Sequence, residues 1–156
     1  MTVAKVASPE PLVGYDEDVL VWSQQQARLL REGRFAELDI EHLADEIEDV
    51  GKSEKRELSS RCAVLMAHLL KWRFQPSFRS SSWRATILGQ RERIEMALDE
   101  TPSLRNLMRD AKWRRGVWID AREQAVKEMR LKKDLLPSDP PWSIEEARDP
   151  DFWPTA

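Results

Sequence analysis

Leu58, Cys62, Leu65, Leu69 and Trp72 recur every three or four residues, the spacing that lines up side chains on one face of an α-helix. Val64, Met66 and Leu70 widen the stripe until the segment is apolar nearly all round. A helix of that kind is unstable at a surface and must be surrounded, so the rest of the chain has to supply helices that pack around it. The spacing predicts a helix over 54–74, with Pro76 closing it.

The flanking segments carry the same period. A helix is expected to begin near Asp16, with Val19, Trp22, Ala27 and Leu30 on one face and Gly33 as its stop. Asp39 is a good N-cap for the next one, whose stripe is Ile40, Leu43, Ala44, Ile47 and Val50. Gly51 should end or bend it, and Ser53 then caps the central helix. After a polar loop, Trp83, Ile87, Ile94 and Leu98 mark a fourth helix. Thr101 as N-cap and Pro102 at the first helical position restart the pattern through Leu104, Leu107, Met108 and Ala111. Trp118, Ala125 and Met129 continue it beyond Gly116, a potential break. Ser143–Glu146 reads as a capping box, and Trp142, Phe152 and Trp153 are suited to docking a proline-rich tail.

No strand-like alternation stands out. The expectation is an all-α, single-domain bundle of five to six helices over 15–136, with a loose arm over 1–14 and a docked tail over 137–156.

Composition removes several functional classes. Only 5 glycines occur, and neither GxGxxG nor GxxxxGK[ST] is present, so no nucleotide cofactor is expected. The single Cys62 excludes an internal disulfide and a cysteine-based zinc site. A reducing cytoplasm is the expected setting. The N-terminal residues lack the apolar core of a signal peptide, and no run approaches the ~20 apolar residues of a membrane span, so no membrane partner is expected.

The net charge of −3 hides a segregation: residues 1–51 carry −8, residues 52–133 carry +10 and residues 134–156 carry −5. Either these blocks neutralise one another within the fold or across a dimer, or the basic middle faces an anionic partner.

Individual residues sharpen the choice. His42 lies among Asp39, Asp45, Glu46 and Asp49, a set that resembles bundle metal sites. Helical spacing of 100° per residue turns His42, Glu46 and Asp49 away from the apolar stripe, so a solvated acidic face is expected and no metal. His68 flanks the core stripe and is expected to be a hydrogen-bonded edge histidine. Cys62, on the stripe, should be an inert buried thiol. Gln90 interrupts an apolar stripe, where it fixes helix register through a core hydrogen bond or lines a pocket. Arg84 and Arg91, one flank of the same helix, call for carboxylate partners.

Trp72–Arg73, Trp83–Arg84 and Trp113–Arg114 raise the prospect of an aromatic, cationic surface that stacks on nucleic acid. Trp72 and Trp83 sit on apolar stripes, however, and each following arginine points about 100° away, which describes a bundle edge. The cations of 105–133, among them Arg109, Lys112, Arg114 and Arg115, leave phosphate binding open; the sequence pI near 5.5 counts against it.

The motifs YDEDVLVW, LDIEHLADEIEDVGKSEKREL, HLLKW, SWRATILGQR and TPSL occur in the order and spacing of the domain of unknown function 29 family, which the chain resembles from about Tyr15 to Trp153. The resemblance implies a bacterial, largely helical protein and assigns no activity. KWRRGVWIDAREQAVKE departs from the tyrosine- and alanine-rich pattern frequent there, so Lys112, Arg114 and Arg115 are expected to be particular to this member.

Three functions remain. The first is a non-enzymatic interaction module that uses segregated acidic and basic surfaces to bind another protein or itself. The second is nucleic-acid binding through 105–133. The third is a ligand-binding or enzymatic bundle with a site near His68 and Gln90.

Overall fold

In the computed structural model, residues 10–129 and 133–155 are described. Most of the expected arm over 1–14, and Arg130 and Lys132 of the basic segment, lie outside them. The described residues contain six α-helices and no strand. The fold is all-α, and the chain divides after Gly51 into two compact units. That division falls where the acidic block of the sequence gives way to the basic one.

The first unit holds α1 (Val19–Arg31) and the beginning of α2 (Ile40–Phe74). Asp18, two residues beyond the expected start, caps α1 by accepting from the backbone N–H of Leu20 and Val21. Gly33 ends the turn in the left-handed region, at φ +70°. Trp22 and Leu29 are buried, while Val19 and Leu30, expected on the inner face, are exposed.

Two buried glutamines complete this small interior. The Gln25 Oε1 accepts from Val13 N–H at 2.8 Å and its Nε2 donates to Pro11 O at 3.0 Å, while Gln26 Oε1 accepts from Asp39 N–H at 2.8 Å. Each satisfies backbone groups of a neighbouring segment, the condition for burying a polar side chain.

Helix α2 does not stop at Gly51, and Ser53 does not cap a new helix; the helix runs unbroken for 35 residues. A glycine inside a helix costs only ~1 kcal/mol relative to alanine, too little to break one held by packing on its other turns.

The second unit surrounds the later part of α2 with α3 (Ser81–Glu100), α4 (Leu104–Leu107), α5 (Ala111–Met129) and α6 (Ile144–Arg148). Its core contains Leu58, Cys62, Leu65, Leu69 and Leu70 from α2, Ile87, Ile94 and Leu98 from α3, and Val117, Ala121 and Ala125 from α5. Ser80 caps α3, and Ser143 and Glu146 close a reciprocal capping box at α6. Leu136, Trp142, Ile144 and Ala147 carry the tail into the same core, with Phe152 and Trp153 packed against it.

Two expected boundaries move. Thr101 terminates α3 instead of starting the next helix, and α4 follows from Ser103. Helix α5 passes through Gly116 without a break. Its start is set by Asp110, whose carboxylate accepts from Trp113 N–H at 2.7 Å. No helix of the described residues is long and apolar enough to cross a membrane.

Candidate functional site

The first turns of α2 bury a face roughly 90° round the helix from the one their apolar period predicts. His42 and Glu46 are half-buried, whereas Ile40, Ile47 and Val50 are 68%, 71% and 65% exposed. Polar side chains, in place of the aliphatic stripe, fasten this helix within the first unit. Trp22 Nε1–H donates to Asp39 at 3.0 Å, His42 Nδ1–H donates to the same carboxylate oxygen at 2.8 Å, and Tyr15 OH donates to Glu46 at 2.5 Å. Tyr15 stacks on His42 with ring centroids 4.3 Å apart, and meets Trp22 edge-on at 4.9 Å.

The cause lies in the partners. Tyr15 and Trp22 each carry a polar tip on an apolar ring, and a buried tip needs an acceptor. Asp39 and Glu46 provide acceptors that the aliphatic face lacks.

Ionisation follows from the same contacts. The hydrogen bond to Asp39 raises the His42 pKa against the opposing effect of burial. Burial works to raise Asp39, but hydrogen bonds from His42 and Trp22 outweigh it and hold the carboxyl below its ordinary value. The hydrogen bond to Glu46 raises the Tyr15 pKa. His42 thus spends its Nδ1 on an internal carboxylate. No three His, Cys, Asp or Glu side chains among the described residues are grouped to hold a metal ion.

What the helix leaves outward is an aliphatic seam. Ile40, Leu43, Ile47 and Val50 follow a 3-4-3 spacing, with Leu43 half-buried and the other three exposed. Exposed Ala44 and Gly51 lie beside them. Between Ile40 and Gly51 the helix carries Glu41, Asp45, Glu46, Glu48 and Asp49 and no lysine or arginine.

In the second unit His68 is half-buried at the core edge. Its Nδ1–H donates to Val64 O at 2.9 Å, leaving Nε2 as an acceptor 3.3 Å from Lys71 Nζ. Burial lowers the His68 pKa, and the Lys71 ammonium pushes the same way against the Val64 hydrogen bond. Lys71 is itself buried; its ammonium pairs with Glu128 and lies 4.9 Å from the centre of the Trp83 ring. Burial works to raise the Glu128 pKa, and the hydrogen bond from Lys71 reverses it.

Gln90 is half-buried and lines an open groove on α3 with Ser82, Ala85, Thr86, Gly89 and Arg93, without His68. Its Oε1 has no hydrogen-bond partner among the described residues. A larger groove of about 500 Å³ lies between α2 and α3, over Leu58, Met96 and Ala97. It is rimmed by Glu54, Glu57, Glu92 and Glu100 with Arg61 and Arg93, and is open to solvent, unlike an enclosing small-molecule site.

Arg84 and Arg91 take different roles at the tail. Arg91, only 4% exposed, donates to three backbone carbonyls of the tail: Ala147 O at 2.8 Å, Pro150 O at 3.3 Å and Phe152 O at 2.5 Å. Trp153 completes the clamp, with the guanidinium groups of Arg84 and Arg91 4.7 and 5.1 Å from its ring centre and Trp72 4.8 Å away. Arg79 donates to Trp72 O at 2.8 Å and covers the Trp72 ring. The tryptophan–arginine alternation around Trp72 and Trp83 therefore belongs to a bundle edge that grips its own tail.

Of the basic segment, Arg114 is engaged by Met108 O and Glu145, and Arg105 by Leu98 O and Asp99. Arg109, Lys112 and Arg115 are exposed.

No curated protein and no solved structure shows significant similarity to the chain. A family model does match, over residues 14–153, which is nearly the whole chain. With its all-α fold and the motifs from Tyr15 to Trp153, the chain belongs to the family described as Domain of unknown function DUF29.

Proposed function

We propose that the protein is a non-enzymatic helical interaction module whose acidic first unit binds another protein. The observation that carries this reading is the outward aliphatic seam of α2, with Ile40, Ile47 and Val50 each about two-thirds exposed on a helix otherwise rich in carboxylates. Scattered apolar side chains at a surface need no explanation, but a periodic row of large ones is what interaction surfaces present. The neighbouring polar network fixes which face of the helix points outward, so the seam is presented in one orientation.

Nucleic-acid binding through 105–133 is the second reading. It is favoured by the exposure of Arg109, Lys112 and Arg115 and weakened by the engagement of Arg114 with Glu145. A ligand-binding or enzymatic role near His68 and Gln90 draws less support, since the groove at Gln90 is open and His68 is turned to Val64 O.

The test is purification of the tagged protein from its own host, with and without nuclease, alongside Ile47→Glu and a double Lys112→Glu, Arg115→Glu variant. A protein partner that survives nuclease and is lost with Ile47→Glu supports the module. Loss of all partners on nuclease treatment, and with the double variant alone, would replace it with the second reading.

A further inference from the structure

From Leu58 to Arg91 the chain carries six lysine and arginine residues and no aspartate or glutamate. Three of the arginines lie on aromatic rings where α2 turns into α3. Arg79 covers Trp72 at 5.0 Å, Arg84 covers Trp153 at 4.7 Å, and Arg73 lies 5.3 Å from the centre of Phe74 and 5.9 Å from that of Trp142. Trp72 and Trp153 are 4.8 Å apart, so Arg79 and Arg84 are joined through one stack of rings.

Stacking holds a guanidinium flat by its face and uses none of its N–H donors, which lie in its plane and stay open to acceptors. Arg79 gives its Nε donor to Trp72 O. Among the described residues, Arg73 and Arg84 make ring contacts alone, and no carboxylate pairs with any of the three. Arg61, Arg105, Arg114 and Arg148, by contrast, each meet a carboxylate. On the same connection Phe78 stands 66% exposed, at the end of the turn Pro76–Phe78.

Arginine forks that are already held flat match the paired oxygens of a phosphate. A free-standing ring is a platform for a planar partner. Each nucleotide of a single strand brings both a phosphate and a base. An acidic peptide would satisfy the forks and leave the ring without a planar partner. An anionic bilayer requires a second, apolar anchor beside the charge, and here only Phe78 offers one, since Phe74 lies under Arg73.

We propose that this end of the bundle binds single-stranded nucleic acid, with phosphates on Arg73, Arg79 and Arg84 and a base stacked on Phe78. The site uses neither the acidic first unit nor the cations of 105–133, so it stands independently of both readings above.

The experiment is a fluorescence-anisotropy titration of the full chain with a labelled oligouridylate of about 12 nucleotides, from about 50 to 200 mM salt. The expected result is saturable binding with a log–log salt slope of roughly −2, the value for three phosphates of a single strand. Arg73→Gln should make that slope shallower by about 0.7, and Phe78→Ala should weaken binding about tenfold at an unchanged slope. A double Lys112→Gln, Arg115→Gln variant should bind within about threefold of wild type, because its cations lie outside the site. Far-ultraviolet circular dichroism of each variant confirms the helical fold, and Phe78, exposed as it is, can be truncated without opening the core. Absence of saturable binding, wild-type affinity in Phe78→Ala, or a loss confined to the Lys112, Arg115 variant would overturn the proposal. So would equal affinity for polyglutamate, which would make the surface a site for acidic protein, or for phosphatidylserine vesicles, which would make it a membrane contact.

Discussion

His42 lies face to face with Tyr15, ring centroids 4.3 Å apart and planes 10° from parallel, and its Nδ1 sits 2.8 Å from Asp39. His68 instead faces the Val64 carbonyl through Nδ1 and the Lys71 ammonium through Nε2. The two histidines of the chain therefore titrate in opposite directions from the ordinary 6.5, His42 above it and His68 below. For His42 the stabilisation is fully present below pH 6.5 and is lost as pH rises through its raised pKa. For His68 it is present above pH 6.5 and lost as pH falls through the lowered pKa. Imidazole resonances followed by NMR across pH 4–9, assigned with His42→Gln and His68→Gln, should show the two midpoints on either side of the reference. Coincident midpoints would contradict both sets of contacts.

Lys71 and Glu128 are unequal partners. The lysine side chain is 7% exposed and the glutamate 37%. Removing the carboxylate by Glu128→Ala leaves a buried ammonium beside the His68 Nε2 and the Trp83 ring, and should cost about 3 kcal/mol. Lys71→Met leaves a carboxylate that solvent already reaches and should cost less than ~1 kcal/mol. Urea unfolding of both variants measures the difference, and equal losses would show that the pair does not owe its cost to burial of the ammonium.

Arg91 holds three carbonyls at once, which the forked guanidinium can do and a lysine ammonium cannot reproduce. Arg91→Lys should therefore lose nearly as much stability as Arg91→Met, about 2–4 kcal/mol. Limited proteolysis should then cut within 147–153 before the rest of the chain. A lysine variant with wild-type stability would mean that charge alone, without the fork, secures the tail.

Cys62 is 1% exposed, and burial pushes its thiol pKa up to about 12. An aromatic disulfide reagent at pH 8 should label it at least ~1000-fold more slowly than a free thiol, at a rate set by the opened fraction of the second unit. Fast labelling of the folded protein would place the thiol outside the core described here.

The central stripe of α2 was legible because Leu58, Cys62, Leu65 and Leu69 share one core with apolar side chains of α3 and α5, the situation in which period and burial coincide. Single-residue signals with a local mechanism also carried over, such as the left-handed Gly33 and the Ser143 capping box. The start of α2 was misread for a physical reason. Its neighbours Tyr15 and Trp22 are rings with polar tips, and they select Asp39, His42 and Glu46 over Ile40, Ile47 and Val50. Arg91 could be recognised as a partly buried cation, but its acceptors could not, because carbonyls of an irregular tail have no residue signature. Gln25 and Gln26 were not singled out for the same reason: they satisfy backbone groups of Val13, Pro11 and Asp39.

The clamp around Arg91 also has a bearing on biosynthesis. Phe152, whose carbonyl Arg91 holds, follows it by 61 residues. At a translation rate of ~5–20 residues per second, the nascent chain carries that guanidinium for roughly 3–12 s before the last of its acceptors has been made. The apolar positions that Trp142, Ile144 and Ala147 later cover are open over much of the same interval. A ribosome-bound chain thus passes through a stage in which α2 and α3 have been made while their closing segment has not, and chaperone engagement should concentrate in that window.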